Sequence, residues 1–280
     1  MKILITGANG QLGTELCHLL DAKGIDYTAT GSAQLDITDR QQVAGYFARE
    51  RPTVVYDCAA YTAVDAAEEE PGRAVNQAVN VRGTQNLATA AESVGATLVY
   101  VSTDYVFDGT NPVEYLESDT PNPQNAYGRA KLAGERVVQT TMSAYYIVRT
   151  SWVFGAYGKN FVYTMQKLAQ THHELAVVND QVGRPTWTRT LAKFMVYCLN
   201  EKVAYGLYQL SNTGSCSWYE FACEILRDQD VKVNAVESAQ FPQKAYRPRH
   251  VVMSLAKAEA TGFKLMSWRD ALHAFQAQIK

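Results

Sequence analysis

Along the first 150 residues, short runs of consecutive apolar side chains alternate with longer stretches in which apolar positions recur every three or four residues. The runs predict strands over 2–6, 26–30, 53–57, 97–102 and 145–149, and the stretches predict helices over 12–23, 40–51, 73–94 and 127–139. Several of these helices end at a Gly or Pro, the expected stop. Alternation of this kind builds a doubly wound parallel sheet with helices on both faces. Beyond Trp152 the rhythm changes. A glycine-containing bend over 154–158 leads into a predicted helix over 161–170 and a strand over 176–179. A helix over 188–201 and a strand over 206–210 can rejoin the first sheet, which leaves 217–228 and the C-terminal segment to a smaller mixed α/β lobe. The expected fold is α/β and Rossmann-like, with two interleaved lobes and a cleft between them.

Composition narrows the partners. A chain of 280 residues can bury a substantial core, about 75% of its unfolded surface. Lys and Arg number 26 against 28 Asp and Glu, and no segment concentrates enough positive charge to grip a phosphate backbone, so nucleic acid is not an expected partner. Cys17, Cys58, Cys198, Cys216 and Cys223 are odd in number and scattered, with no Cys-x-x-Cys spacing, which argues against a disulfide framework or a zinc site and for a reducing compartment. The opening run Ile3-Leu4-Ile5 is too short for a signal peptide or a membrane span. A cytoplasmic protein is expected.

The strongest local signal is Gly7-Ala8-Asn9-Gly10-Gln11-Leu12-Gly13, a glycine turn between the first strand and the first helix. One glycine permits a sharp turn, one lets the backbone approach a pyrophosphate, and one lets helix pack on strand, while the helix start offers free N–H groups to an anion. The same glycines could serve a turn for conformational reasons alone. Strand before and helix after favour a dinucleotide, which makes 1–151 with 183–210 the dinucleotide-binding domain and 152–182 with 211–280 the substrate domain. The second strand runs into Thr28-Ala29-Thr30-Gly31-Ser32, with neither an acid for a ribose hydroxyl nor an Arg for a 2′-phosphate, so NAD and NADP both stay open. Asp36 reads equally as a group meeting the adenine edge and as a helix cap ahead of 39–42.

Tyr127 and Lys131 are spaced to share one face of a helix. Tyr163 and Lys167 have the same spacing, so context must choose. The first pair opens a helix after a turn-rich segment and lies downstream of Val101-Ser102-Thr103-Asp104-Tyr105, which emerges at the carboxyl edge where such sheets bind ligands; the second reads as a packed ring and a solvated ammonium. A phenol titrates near 10, and an ammonium held close is expected to lower that value toward the working range. Lys131 can also hold a nicotinamide ribose, and the Thr103 hydroxyl can orient and polarise a carbonyl. Such a set suits carbonyl reduction or its reverse. No Gly-x-Ser-x-Gly elbow is present, and the five His, including the adjacent His172 and His173, form no partnering pattern.

Glycine turn, Thr103 and the Tyr-Lys pair resemble, in order and spacing, the extended short-chain dehydrogenase/reductase superfamily. Within it, Ala59-Ala60-Tyr61-Thr62-Ala63-Val64-Asp65, Ser102-Thr103-Asp104-Tyr105-Val106-Phe107-Asp108-Gly109, Arg149-Thr150-Ser151-Trp152-Val153-Phe154-Gly155, Asn179-Asp180-Gln181-Val182-Gly183-Arg184-Pro185-Thr186 and Arg247-Pro248-Arg249 are similar to the dTDP-4-dehydrorhamnose reductase family, nearly end to end. The resemblance implies reduction of a 4-keto dTDP-sugar by NADPH or NADH, in the supply of L-rhamnose for cell-surface polysaccharide. It implies Tyr127 as proton donor, Lys131 as its partner and Thr103 as carbonyl ligand. Gly10, Gln11 and Leu12 would meet the pyrophosphate, Asp36 and Ile37 the adenine side, and Ala59, Ala60, Tyr61 and Thr62 the cofactor's ribose and phosphate, with Tyr61 standing where other members carry His. Asp104, Tyr105 and Trp152 would contact the sugar nucleotide, and Arg184 and Arg247 are candidates for its diphosphate; Trp152 can also be read as a core plug and the two arginines as surface charges. Family members occur as magnesium-linked dimers. Here Glu68-Glu69-Glu70 reads as a solvated charge run, so no metal is assigned and the expected assembly is a monomer or homodimer. Two rivals are another sugar-nucleotide epimerase or dehydratase of the superfamily, and a non-catalytic dinucleotide-binding subunit resembling that of methionine adenosyltransferase. A dehydratase needs a Glu after Asp104, where this chain has Tyr105, and retention of Thr103, Tyr127 and Lys131 speaks against a pure binder, which has no need of a proton donor.

Overall fold

In a computed structural model, which describes residues 1–279, β1 (Ile3–Thr6) pairs in parallel with β2 (Thr28–Thr30) on one side and β3 (Val54–Asp57) on the other. β4 (Thr97–Thr103), β5 (Tyr145–Thr150) and the strand Gly206–Gln209 extend the sheet beyond β3, all parallel, so the late strand does rejoin the first half. The strand order reverses between β1 and β3, which opens a crevice at their carboxyl ends.

Residues alternate between the two faces. Ile3, Ile5, Val54, Tyr56, Val99 and Val148 pack under α1 (Gln11–Asp21) and, later in the chain, the helix Thr188–Asn200. Leu4, Val55, Leu98, Tyr100 and Ile147 point the other way, toward α2 (Arg40–Glu50) and, with α3 (Gly72–Gln77) packed against the last of them, α4 (Thr84–Ser93) and α5 (Ala126–Thr141). Full burial on both faces is why these strands read as unbroken apolar runs.

The single helix expected over 73–94 is divided by a π-helical stretch, Ala78–Gly83. Two buried asparagines there face inward. Asn80 accepts from the Tyr61 N–H at 3.1 Å and donates to the Tyr61 carbonyl at 2.9 Å, while Asn76 donates to the Ala126 carbonyl at 3.0 Å. Polar side chains thus fasten the loop after β3 and the start of α5, the two segments that border the crevice. Asn125 caps α5 by accepting from the Gly128 N–H at 2.7 Å, and the Glu68 carboxylate accepts from the Ala126 N–H at 2.6 Å.

A further core, of Phe154, Val162, Leu175, Trp187, Phe221, Trp268 and Phe275 among others, joins α6 (Phe161–Ala169), the helix Trp218–Ile225 and the helix Trp268–Ile279. Glu174–Val178, found where a strand over 176–179 is expected, pairs in parallel with Lys232–Val236 in this mixed lobe. No helix among the described residues is long and apolar enough to cross a membrane.

Candidate active site

The crevice at the carboxyl edge of the sheet is a cleft of about 680 Å³. One wall is the glycine turn. Gly7 adopts φ +62°, a left-handed conformation, and a Cβ there would lie 2.5 Å from the backbone N of Ala59. A Cβ at Gly13 would lie 2.3 Å from the Gly7 carbonyl oxygen, so helix and strand approach this closely only without it. Gly10 begins α1 with no side-chain cap, which leaves the first-turn N–H groups free for an anion. Asn9, Gly10, Gln11 and Leu12 line the cleft, as do Ala59, Ala60 and Thr62 on the loop beside the turn. A turn with free N–H groups, no side chains in the way and a loop beside it fits a dinucleotide pyrophosphate.

Thr103, Asp104, Tyr105, Tyr127 and Lys131 line the same cleft. Thr103 ends β4, where its hydroxyl donates to Asp104 Oδ1 at 3.1 Å and accepts from the Tyr105 N–H at 3.2 Å. The Tyr105 ring meets the Tyr127 ring edge-on, 6.1 Å between centres and 85° between planes. The expected lowering of the phenol is not what the geometry gives. Burial and then the Asp104 carboxylate push Tyr127 above its ordinary value, with only the Thr103 hydroxyl opposing. Lys131 stands apart, with Nζ 3.9 Å over the ring of Tyr100. Burial brings Lys131 down to about 8, with Asp57 and Glu135 holding it up, and burial raises Asp104 to about 7 against hydrogen bonds from Thr103 and backbone N–H groups.

The far side of the cleft is aromatic. Trp152, at φ +47°, stacks on Trp218 with ring centres 3.6 Å apart and planes within 9°. Its opposite side lies against Gly183, where a Cβ would come within 2.7 Å of the indole. Trp152 is therefore both packed and cleft-lining. Trp218 and Phe161, its neighbour at 4.5 Å, also line the cleft, as do Lys159 and Asp57. None of these four is among the sequence candidates. For Trp218 the available signal was the Ser217/Glu220 capping box, which marks the start of a helix beside it.

Other candidates lie outside the lining. The Tyr61 hydroxyl is packed near Gly72, so its loop contributes through Ala60 and Thr62. Asp36 is exposed and accepts from the Thr38 N–H and hydroxyl, and the cap of α2 is Asp39. Ile37 is buried against Gly83. Arg184 is paired with Glu114, and Arg247 pairs with Asp65 at 2.8 Å beside the Tyr105 ring. Both cations have carboxylate partners, which weakens the diphosphate assignment. Tyr163 packs on Phe275 and donates to the Ala156 carbonyl at 3.0 Å, away from the cleft. Glu68, Glu69 and Glu70 are engaged separately, with the α5 start, Lys244 and the Ala74 N–H. Among the described residues no group of three or more His, Cys, Asp or Glu is arranged to hold a metal ion.

A parallel sheet with this strand order, a glycine turn at its switch point and a threonine, tyrosine and lysine gathered beside it define a nicotinamide-dependent oxidoreductase of the extended short-chain dehydrogenase/reductase type. Residues 1–280 match the family described as RmlD substrate binding domain. The chain is 42% identical to a dTDP-4-dehydrorhamnose reductase of Streptomyces griseus over 96% of this chain and 91% of that one. Its fold matches the crystal structure of a dTDP-4-dehydrorhamnose reductase from Clostridium acetobutylicum with TM-score 0.96 and 45% identity, covering 100% of this chain and 99% of that one. It matches one from Bacillus anthracis in complex with NADP with TM-score 0.94 and 42% identity, covering 99% of each. The chain belongs to the dTDP-4-dehydrorhamnose reductase family.

Proposed function

We propose that this enzyme reduces the 4-keto group of dTDP-4-dehydro-L-rhamnose to give dTDP-L-rhamnose, a precursor of cell-surface polysaccharide, through Thr103, Tyr127 and Lys131. The observation that carries the reading is that these three side chains share one cleft with the open start of α1. Bound reduced nicotinamide supplies the hydride. Gly10, Gln11 and Leu12 would hold its pyrophosphate, with Ala59, Ala60 and Thr62 beside them. NADPH is the favoured reductant, because β2 ends at Thr30-Gly31-Ser32 with no carboxylate to repel a 2′-phosphate. A relative of the same family has been crystallised with NADP.

Thr103 orients the carbonyl by turning its hydroxyl proton from Asp104 Oδ1 to the substrate oxygen, while the Tyr105 N–H holds the hydroxyl oxygen at the strand end. Tyr127 gives its proton to the oxygen that becomes O4 of the product. A phenol raised above its ordinary value is fully protonated at neutral pH and is thus loaded for that transfer. The phenolate left behind is stabilised by the positive charge of Lys131 one turn along α5. Asp104, Tyr105, Trp152 and Trp218 form the sugar-nucleotide side of the cleft.

The test follows NADPH absorbance with dTDP-4-dehydro-L-rhamnose, then repeats it with NADH. Tyr127→Phe is expected to lower turnover by at least about 100-fold while cofactor affinity stays within about twofold. Unchanged turnover would remove Tyr127 from the reaction.

A further inference from the structure

On the α5 side of the sheet the apolar alternation ends in charge. Val55 gives way to Asp57 on β3, Tyr100 to Ser102 on β4 and Ile147 to Arg149 on β5, while α5 lays Lys131 and Glu135 over them one turn apart. Asp57, Lys131, Glu135 and Arg149 are each at most 3% exposed, so two cations and two carboxylates share a dry seam. Burial of this kind is tolerated only where each charge finds an opposite one.

The partnering is unequal. Glu135 accepts from Arg149 Nε at 2.9 Å, Arg149 Nη2 at 2.7 Å and the Ser102 hydroxyl at 2.5 Å. Lys131 has no direct ion-pair partner among the described residues, and its Nζ rests on the Tyr100 ring. Asp57 is the register neighbour of that tyrosine across β3 and β4. Its Oδ1 accepts from the Thr6 hydroxyl at 2.8 Å and the Ala59 N–H at 3.2 Å, yet its Oδ2 is buried with no hydrogen-bond partner. A cation lacking an anion and a carboxylate oxygen lacking a donor therefore flank one aromatic ring.

We propose that Asp57 is the counter-ion that keeps Lys131, one turn along α5 from Tyr127, an ammonium, a positioning residue that acts on the reaction through Lys131. Charge counting selects Asp57 over Glu135. The field of Glu135 is offset by Arg149 at 2.7 Å, so at Lys131 that pair acts as a dipole, whereas Asp57 has no cation of its own and acts as a full charge. Burial opposes both charges, bringing Lys131 down to about 8 and Asp57 up, so each ionised form depends on the other. Of the remaining neighbours, Tyr100 is driven far up by burial and stays neutral, and Tyr127 is likewise protonated.

This inference rests on the assignment of Lys131 to the reductase site, and its test separates the two. Lysine labelled with 13C at Cε is titrated by NMR in the protein without ligands, the Lys131 resonance being identified by its loss in Lys131→Arg. Asp57→Asn preserves acceptors for Thr6 and Ala59 and removes the charge; its Lys131 midpoint is expected to fall by about one pH unit or more. The basic limb of kcat/KM should move down with it. Asp57→Glu retains the charge and should keep the midpoint within a few tenths, which serves if the Asn variant does not fold. A midpoint that does not move in Asp57→Asn, or that falls equally in Asp57→Glu, overturns the proposal, as does a loss of NADPH affinity with an unmoved midpoint. Failure of Tyr127→Phe to slow turnover would instead refute the reductase site and leave the titration result intact.

Discussion

Glu135→Gln removes the negative charge from an ion pair whose two side chains are 3% and 1% exposed. The amide oxygen can still accept from Ser102, so the loss is not one hydrogen bond, worth about 1 kcal/mol. What remains is a guanidinium in a dry site. Arg149 Nη1 already lacks a partner, and the compensation left to the cation is its position 5.1 Å from the Phe107 ring centre. Breaking a buried pair on one side costs about 3–5 kcal/mol, a large part of the roughly 5–15 kcal/mol that holds a protein folded. With an unfolding entropy of about 2.1 cal/mol/K per residue, that loss corresponds to a fall in Tm of about 5–9 °C for a chain of this length. Urea unfolding without ligand, followed by circular dichroism, measures it directly, and an unchanged dependence on denaturant would confirm that the native state is the one affected. Replacing both partners, Glu135→Leu with Arg149→Met, should cost less than the single change because no charge is left unpaired. A single-variant loss below about 1 kcal/mol would mean that water reaches the pair, and the description of the seam as dry would be wrong.

Two further outcomes test the site from its other walls. Thr103→Val should lower kcat by about 10²-fold through loss of the hydroxyl that orients the carbonyl, with NADPH affinity retained, and a wild-type rate in the coupled absorbance assay would exclude that role. Gly7→Ala forces a side chain into a left-handed conformation, at about 1–2 kcal/mol, and drives a methyl into the Ala59 backbone. Fluorescence titration should show NADPH binding weakened at least about tenfold, and unaltered affinity would refute the proposed cradle.

The sheet was readable because fully buried parallel strands leave continuous apolar runs, and even the return of Gly206–Gln209 could be anticipated. The π-helical break at Ala78–Gly83 could not, and Asn76 and Asn80, before and within it, bond to segments up to 50 residues away. That Thr103, Tyr127 and Lys131 line one cleft could be anticipated from spacing and context, whereas Asp57 reads locally as the end of a strand and becomes notable only when α5 is laid over it. Arg184 and Arg247 looked available for a diphosphate because Glu114 and Asp65, their partners, lie 70 and 182 positions distant. Cations are assigned easily from sequence. Their neutralisation is a property of the fold.

The direction of the Tyr127 shift bears on how the site runs. Lysine beside tyrosine suggests a phenol poised to ionise, which is what abstraction of a proton from an alcohol requires. Here burial and Asp104 favour the protonated phenol, and Lys131 is drawn back over Tyr100. Reduction of a ketone needs the opposite of a base: an acid that keeps its proton until negative charge develops on the substrate oxygen. In the proposed reaction, once that proton has left, Tyr127 would carry the charge, and only then would Lys131 lower the energy of the site. Asp104, held at about 7, adds to this bias as it ionises, because its carboxylate makes the phenolate harder to form. On that proposal the same pair of side chains serves donation before transfer and charge stabilisation after it, provided Lys131 stays an ammonium throughout, which is the condition proposed for Asp57.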